Sequence, residues 1–277
     1  MAPKTKTPEE STELAAQTQG FVVSEVDESQ YEANFAFKAD EQATAFLKQA
    51  QPLSPEIDKT TDKYIKGLEA GGLFITGVNK VYNEGCYIIP TYMKKEHIFW
   101  KPNNGGFDSI QNWSEEVQAQ LLRDGSKDFM PDGRQVETSL TYYVLVVDPE
   151  NPNQLPTPAI LKCSSTKFTV AKKLNTLLNS VQFENKTLSG GLAAIYRFLV
   201  SVSSVSQVSA DNKRFFNFNF KLEKSHPYLN DKGLIGVDPI LKMAKNFADL
   251  ASASKIVVDH NADKAGSNDV QNGPEIC

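Results

Sequence analysis

The stretch TYMKKEHIFWKPNNGGF, residues 91 to 107, sets Lys94, Lys95 and Lys101 beside His97, Phe99 and Trp100, then breaks at Pro102 and two glycines. Alternate side chains of a strand face opposite ways. Lys95, His97, Phe99 and Lys101 therefore share one face, and Lys94, Glu96, Ile98 and Trp100 share the other. A ring held between cations suits unpaired nucleic acid. Each base has a π-face whose stacking on an aromatic is worth about 1 to 3 kcal/mol, and each nucleotide carries a phosphate that an ammonium can meet. The same residues also read as the rim of a β core, with the rings filling an apolar patch and the lysines solubilising a strand end. The pattern recurs twice. LKCSSTKFTVAKK (161 to 173) carries Lys162, Lys167, Lys172 and Lys173 with no acid. DNKRFFNFNFKLEK (211 to 224) places Lys213 and Arg214 before Phe216, Phe218 and Phe220, which read as core and alternate with a polar face of Asn217, Asn219 and Lys221.

Other chemistries find little support. The chain has no GxGxxG, GxxxxGK[ST], GxSxG or HExxH signature. Its three histidines, His97, His226 and His260, are scattered, and DHNAD around His260 reads as solvated coil rather than a metal cluster. Cys86 and Cys163 lie in apolar runs and read as core thiols, while Cys277 is the last residue. No enzyme, cofactor or metal site is expected, although a carboxylate nuclease remains as a third reading.

Charge is unevenly placed. The net formal charge is −5. Residues 1 to 30 hold six acids against two lysines, and residues 255 to 277 hold four against two, which leaves +1 for residues 31 to 254. Such an asymmetry suits a basic surface screened by acidic ends. No apolar run reaches the roughly 18 residues of a membrane helix, and the N-terminus lacks the apolar stretch of a secretory signal, so a cytoplasmic protein with no membrane partner is expected.

The elements that must position these groups are mostly strands. β-branched and aromatic runs bounded by turn residues lie at 73 to 78, 86 to 93, 97 to 101, 139 to 148, 159 to 163, 193 to 208 and 213 to 223. Residues 139 to 163 read as a hairpin with a long loop, and residues 102 to 138 as mostly connection with a helical turn or two near 114 to 125. Helices are expected at 39 to 50, after Ser164 to Thr166, where Val170, Leu174, Leu177, Leu178 and Val181 share a face, and at 237 to 254. IDKTTDKYIKGLEAGG could be helix or loop. The reading is mainly β with peripheral helices (α+β): an OB-like antiparallel β-barrel with an inserted amphipathic helix and a C-terminal helix. It spans residues 35 to 255, between an acidic leader (1 to 34) and a flexible acidic tail (256 to 277).

The segments AGGLFITG, IIPTYMKKEHIFWKPNNGGF, DGRQVETSLTYYVLVV and PAILKCSSTKFTVAKKLNTLL give the chain, over about residues 55 to 225, a further reading. Together they resemble tailed-phage proteins encoded among replication genes and regarded as single-stranded DNA-binding. The resemblance implies a protein that coats or protects single-stranded DNA during phage replication or recombination in the host cytoplasm. Its partners would be that DNA and phage replication or recombination proteins, with a homo-oligomer left open. The ending GPEIC departs from the acidic, aromatic-ended tails of many such binders. Phe99, Trp100 and either Tyr142 or Tyr143 would stack on bases. Lys94, Lys95, Lys101, Lys167, Lys172, Lys173, Lys213 and Arg214 would meet phosphates. The alternative class is a virion or assembly structural protein with no nucleic-acid role.

Overall fold

The computed structural model describes residues 44–78, 80–125, 127–186, 191–209 and 212–256. In chain order the strands are β1 (Leu47–Gln49), β2 (Leu73–Ile75), β3 (Lys80–Tyr82), β4 (Cys86–Trp100), β5 (Phe107–Asn112), β6 (Leu122–Asp124), β7 (Lys127–Phe129), β8 (Gln135–Val147), β9 (Thr157–Ser164), β10 (Val200–Val208) and β11 (Arg214–Leu222). The helices are α1 (Glu115–Gln120), α2 (Thr166–Glu184) and α3 (Asp238–Ser252). The acidic leader, the tail, His260 and Cys277 lie outside the described residues.

Two long apolar strands make the centre. β4 pairs antiparallel with β8 from Tyr87 opposite Val147 to Trp100 opposite Gln135. The segments 86 to 93 and 97 to 101, expected as separate strands, are thus one. Pro90 lies inside it and has no N–H to give the ladder, and the register slips there: Pro90 faces Val144 while Tyr92 faces Tyr143. Thr91 is the extra residue, and its hydroxyl donates to the Tyr143 carbonyl at 2.9 Å. The slip reverses the alternation. Cys86 and Ile88 before the bulge share a face with Met93 after it, and Ile89 shares the other with Tyr92.

The outer edge of β4 takes β10 at one end and β5 at the other, and the outer edge of β8 takes β9 and β7. β11 then adds to β10, and β6 to β7. These outermost strands stand on opposite flanks and do not pair, so the OB-like barrel expected from the sequence is corrected to an open eight-stranded antiparallel sheet, within the expected α+β class. A second sheet, β1-β2-β3, joins β9 by a parallel bridge from Phe46 to Ile160, where the Ile160 N–H donates to the Ala45 carbonyl at 2.8 Å.

Each face of the large sheet buries one helix. On one, Ala171, Leu174, Leu178 and Val181 of α2 meet Tyr142, Val144, Leu161 and Cys163. On the other, Ile240, Ala244, Phe247 and Ala251 of α3 meet Ile89, Tyr143, Leu145 and Ile160. Both helices fall where apolar spacing puts them. Of Ser164, Ser165 and Thr166, any of which the sequence offers as a cap for α2, the residue at the cap position is Ser165, which has φ +50° and whose side chain makes no capping bond. Ser114 does cap α1, accepting from the Val117 N–H at 3.2 Å.

Three further expectations change. Residues 44–50 are not helical: Phe46, Leu47, Gln49 and Ala50 are all buried, which a one-sided helix could not achieve, and the segment pairs with β2. Residues 102–138 hold β5, β6 and β7 around the expected helical turns of α1, where mostly connection was expected. The run from 193 becomes extended only at Val200, after a 3-10 turn at Ile195–Arg197.

Cys86 and Cys163 are buried, and burial pushes the Cys163 thiol up to about 12 and the Cys86 thiol higher still. Native protein treated with iodoacetamide at mildly alkaline pH is expected to show neither alkylated on peptide mass mapping, and both alkylated in denaturant; labelling without denaturant would contradict this packing. Leu174, 1% exposed beneath the sheet, tests the α2 layer. Leu174→Ala should lose about 2 to 5 kcal/mol in urea unfolding, whereas an unchanged midpoint would place α2 elsewhere.

Candidate nucleic-acid interface

Cross-strand register brings three residues of different segments into one row. Lys94 of β4 faces Thr141 of β8, which faces Lys162 of β9. Neighbouring strands lie about 4.8 Å apart, so the two lysines flank the threonine on the α3 side of the sheet. This row lies past the end of α3, where Ser254 and Ile256 line a depression of about 300 Å³ together with Lys94, Glu96, Tyr143 and Lys162. A second depression, of about 270 Å³, is lined by Lys48, Trp100, Glu137, Lys162, Lys167 and Phe216. Phe46 and Lys162 line both, so the two depressions adjoin and are treated together as one groove.

Four lysines line this groove, and each ammonium rests near an aromatic ring: Lys48 at 5.8 Å from Phe46, Lys94 at 5.7 Å from Tyr143, Lys162 at 5.7 Å from Trp100 and Lys167 at 4.6 Å from Phe218. Cation–π attraction of this kind holds a charge beside a ring without neutralising it. Lys94 also donates to the Ser254 hydroxyl at 3.1 Å. The Tyr143 phenol is pushed up to about 12, chiefly by burial and then by the charge of Glu96, so it stays protonated.

The far wall is built by glutamines. Phe216 N–H donates to Gln51 Oε1 at 2.9 Å and Gln51 Nε2 donates to the Phe216 carbonyl at 3.0 Å, so one side-chain amide stands where a neighbouring strand would be. Gln49 Nε2 donates to the Asn217 carbonyl at 3.2 Å and to the Ser204 hydroxyl at 2.6 Å. Behind Phe216 sits Gly71 at φ +93°, where a Cβ would come within 2.8 Å of the ring. Only glycine lets the backbone approach so closely, and the ring is thereby held half-exposed in the groove.

The residues expected to bind nucleic acid divide between locations. Lys94, Trp100 and Lys167 line the groove. Lys95 faces the other way, 3.5 Å from the Trp113 ring centroid, and its pKa is lowered by burial and by nearby Lys172, which lies 4.9 Å from Phe168. Lys101, Lys173, Lys213 and Arg214 are exposed and line neither depression. Of the rings expected to stack, Phe99 is 1% exposed, with the Arg134 guanidinium 5.0 Å from its centroid. Tyr142 is fully buried, its hydroxyl 2.7 Å from Asn175 Oδ1 and 3.0 Å from the Ala171 carbonyl. Trp100 is 9% exposed and forms a wall rather than a platform. The stacking role assigned to these three is corrected accordingly: Phe99 and Trp100 of β4 are buried on opposite faces of the sheet, and Tyr142 of β8 is buried beneath α2. Asn217, expected on a polar face, is buried and donates to the Thr166 carbonyl at 3.3 Å.

Phe46, Lys48, Glu96, Lys162 and Phe216 also line the depressions, and the sequence reading assigns none of them to the site. Lys162 had a signal: it is the one charged residue of the otherwise apolar run AILKC. Phe46 and Lys48 were hidden inside an expected helix.

Among the described residues no helix is long and apolar enough to cross a membrane, and no group of three or more His, Cys, Asp or Glu could hold a metal ion. No curated protein and no solved structure matches the chain. The family described as Pam3 phage gp34-like protein matches residues 16–256. The match takes in all of both sheets, both large helices and the whole groove, and the chain belongs to this family of phage proteins.

Proposed function

We propose that the protein is a non-enzymatic binder of single-stranded DNA, which it coats or protects during phage DNA replication or recombination, and that the strand lies in this groove. The observation that carries this reading is the set of Lys48, Lys94, Lys162 and Lys167, each near a ring, lining two adjoining depressions. Ammonium groups meet phosphates, and half-buried Phe216 offers a face to a base. The charge balance agrees. Residues 44–256 hold 25 lysines and arginines against 21 acids, a net of +4 within a chain of −5.

Fluorescence anisotropy with a labelled single strand tests this directly. Association should weaken with salt at a log–log slope of about −3 if four phosphates are neutralised, since each contributes about −0.7 on single strands. Lys162→Ala combined with Lys167→Ala should weaken binding and flatten that slope by about 1.4, whereas Lys173→Ala, outside the groove, should change it little. Salt-independent or absent binding, together with the protein's recovery from purified virions, would move the assignment to the virion structural class.

Phe216→Ala isolates stacking from charge. It should weaken binding by about 1 to 3 kcal/mol while leaving the salt slope in place. An unaltered affinity would remove Phe216 from the site.

A further inference from the structure

The groove proposed for a polyanion contains an acid. Glu96 is only 8% exposed and lines the first depression, and among the described residues no donor hydrogen-bonds to its carboxylate and no cation pairs with it. Glu137 lines the second depression, on the same face and one diagonal step away, because Glu96 faces Ser139 while Ile98 faces Glu137. A carboxylate in this position repels phosphate, so a strand seated here must turn something other than its backbone toward Glu96.

Base edges offer what Glu96 lacks. An exocyclic amino group, as on cytosine or adenine, donates to a carboxylate. Thymine instead presents two carbonyl oxygens on either side of a single N–H, and those oxygens face the carboxylate with like charge. The depression holding Glu96 is also small, at the lower end of the range for ligand pockets, which suits one base rather than a larger group. Lys94 and Lys162 flank it on the same row and can hold the phosphates on either side.

We infer that the depression around Glu96 is a base pocket that selects nucleobases carrying an exocyclic amino group and disfavours thymine. This rests on the single-strand reading of the groove. Glu96 is thereby a specificity-determining residue: it orients the strand with bases inward and gives a general binder a compositional preference.

The test compares oligo(dC) with oligo(dT) of equal length on the full chain by anisotropy titration near neutral pH. The two pyrimidine strands match in charge and ring size, so the comparison isolates the base edge. Oligo(dC) should bind about fivefold tighter or more. Two changes should bring the strands together: Glu96→Gln in the protein, and N4,N4-dimethylation of the cytosines, which removes the donors and leaves the protein untouched. Equal affinity of the parent protein for both strands, or an advantage that survives dimethylation, would overturn the base pocket while the single-strand reading stands. Failure to bind either strand would overturn both.

Discussion

Everything in the large sheet depends on how β4 lies against β8, and that pairing contains one deliberate slip. Pro90 withholds an N–H from the ladder, Thr91 is squeezed out as the extra residue, and the Thr91 hydroxyl recovers a bond to the Tyr143 carbonyl. Because side chains alternate with period two, one inserted residue exchanges the faces of all that follow. After the bulge Lys94 points to the α3 side and Lys95 to the α2 side; a strand running through without it would have reversed them. The row Lys94, Thr141, Lys162 therefore exists because a proline sits in the middle of the longest strand.

The same logic shows how a molecule of net charge −5 can hold a cationic groove. Local geometry decides the potential at short range, and screening removes the influence of charges more than about 10 Å away at moderate salt. Each groove lysine also lies within about 6 Å of an aromatic ring, which favours a cation there. Ion pairs among the described residues include Lys80 with Asp148, Arg123 with Asp128, and Arg134 with Asp108 and Asp132, none of which lines either depression. The wall opposite is neutral, made from the amides of Gln49 and Gln51, which occupy the open edge of β11 and so guard it against another strand.

The sequence discloses the elements better than their closure. Val170, Leu174, Leu178 and Val181 announce α2 through helical spacing, and the β-branched and aromatic runs announce β4, β8, β9, β10 and β11. Local pattern does not say which edge a strand takes, so the barrel was a guess at long-range pairing that the flanking strands do not make. The site shows the same division. Lysines in β-rich segments are visible as candidates, but whether a ring beside them is a platform or core depends on what covers it. Phe99 is covered by Arg134, and Tyr142 by α2. Lys48 and Phe46 reach the groove through the Phe46–Ile160 bridge and the Gln49 and Gln51 bonds to β11, contacts between residues more than a hundred positions apart that no local periodicity records.

Photo-crosslinking of the protein to single-stranded DNA, with the attached peptides identified by mass spectrometry, asks most directly which surface the strand touches. Adducts should concentrate on the segments that carry Phe46, Lys162 and Phe216, from β1, β9 and β11. Adducts gathered instead around Trp113 and Phe168, on the side of Lys95 and Lys172, would contradict the groove and place the binding face on the opposite side of the sheet.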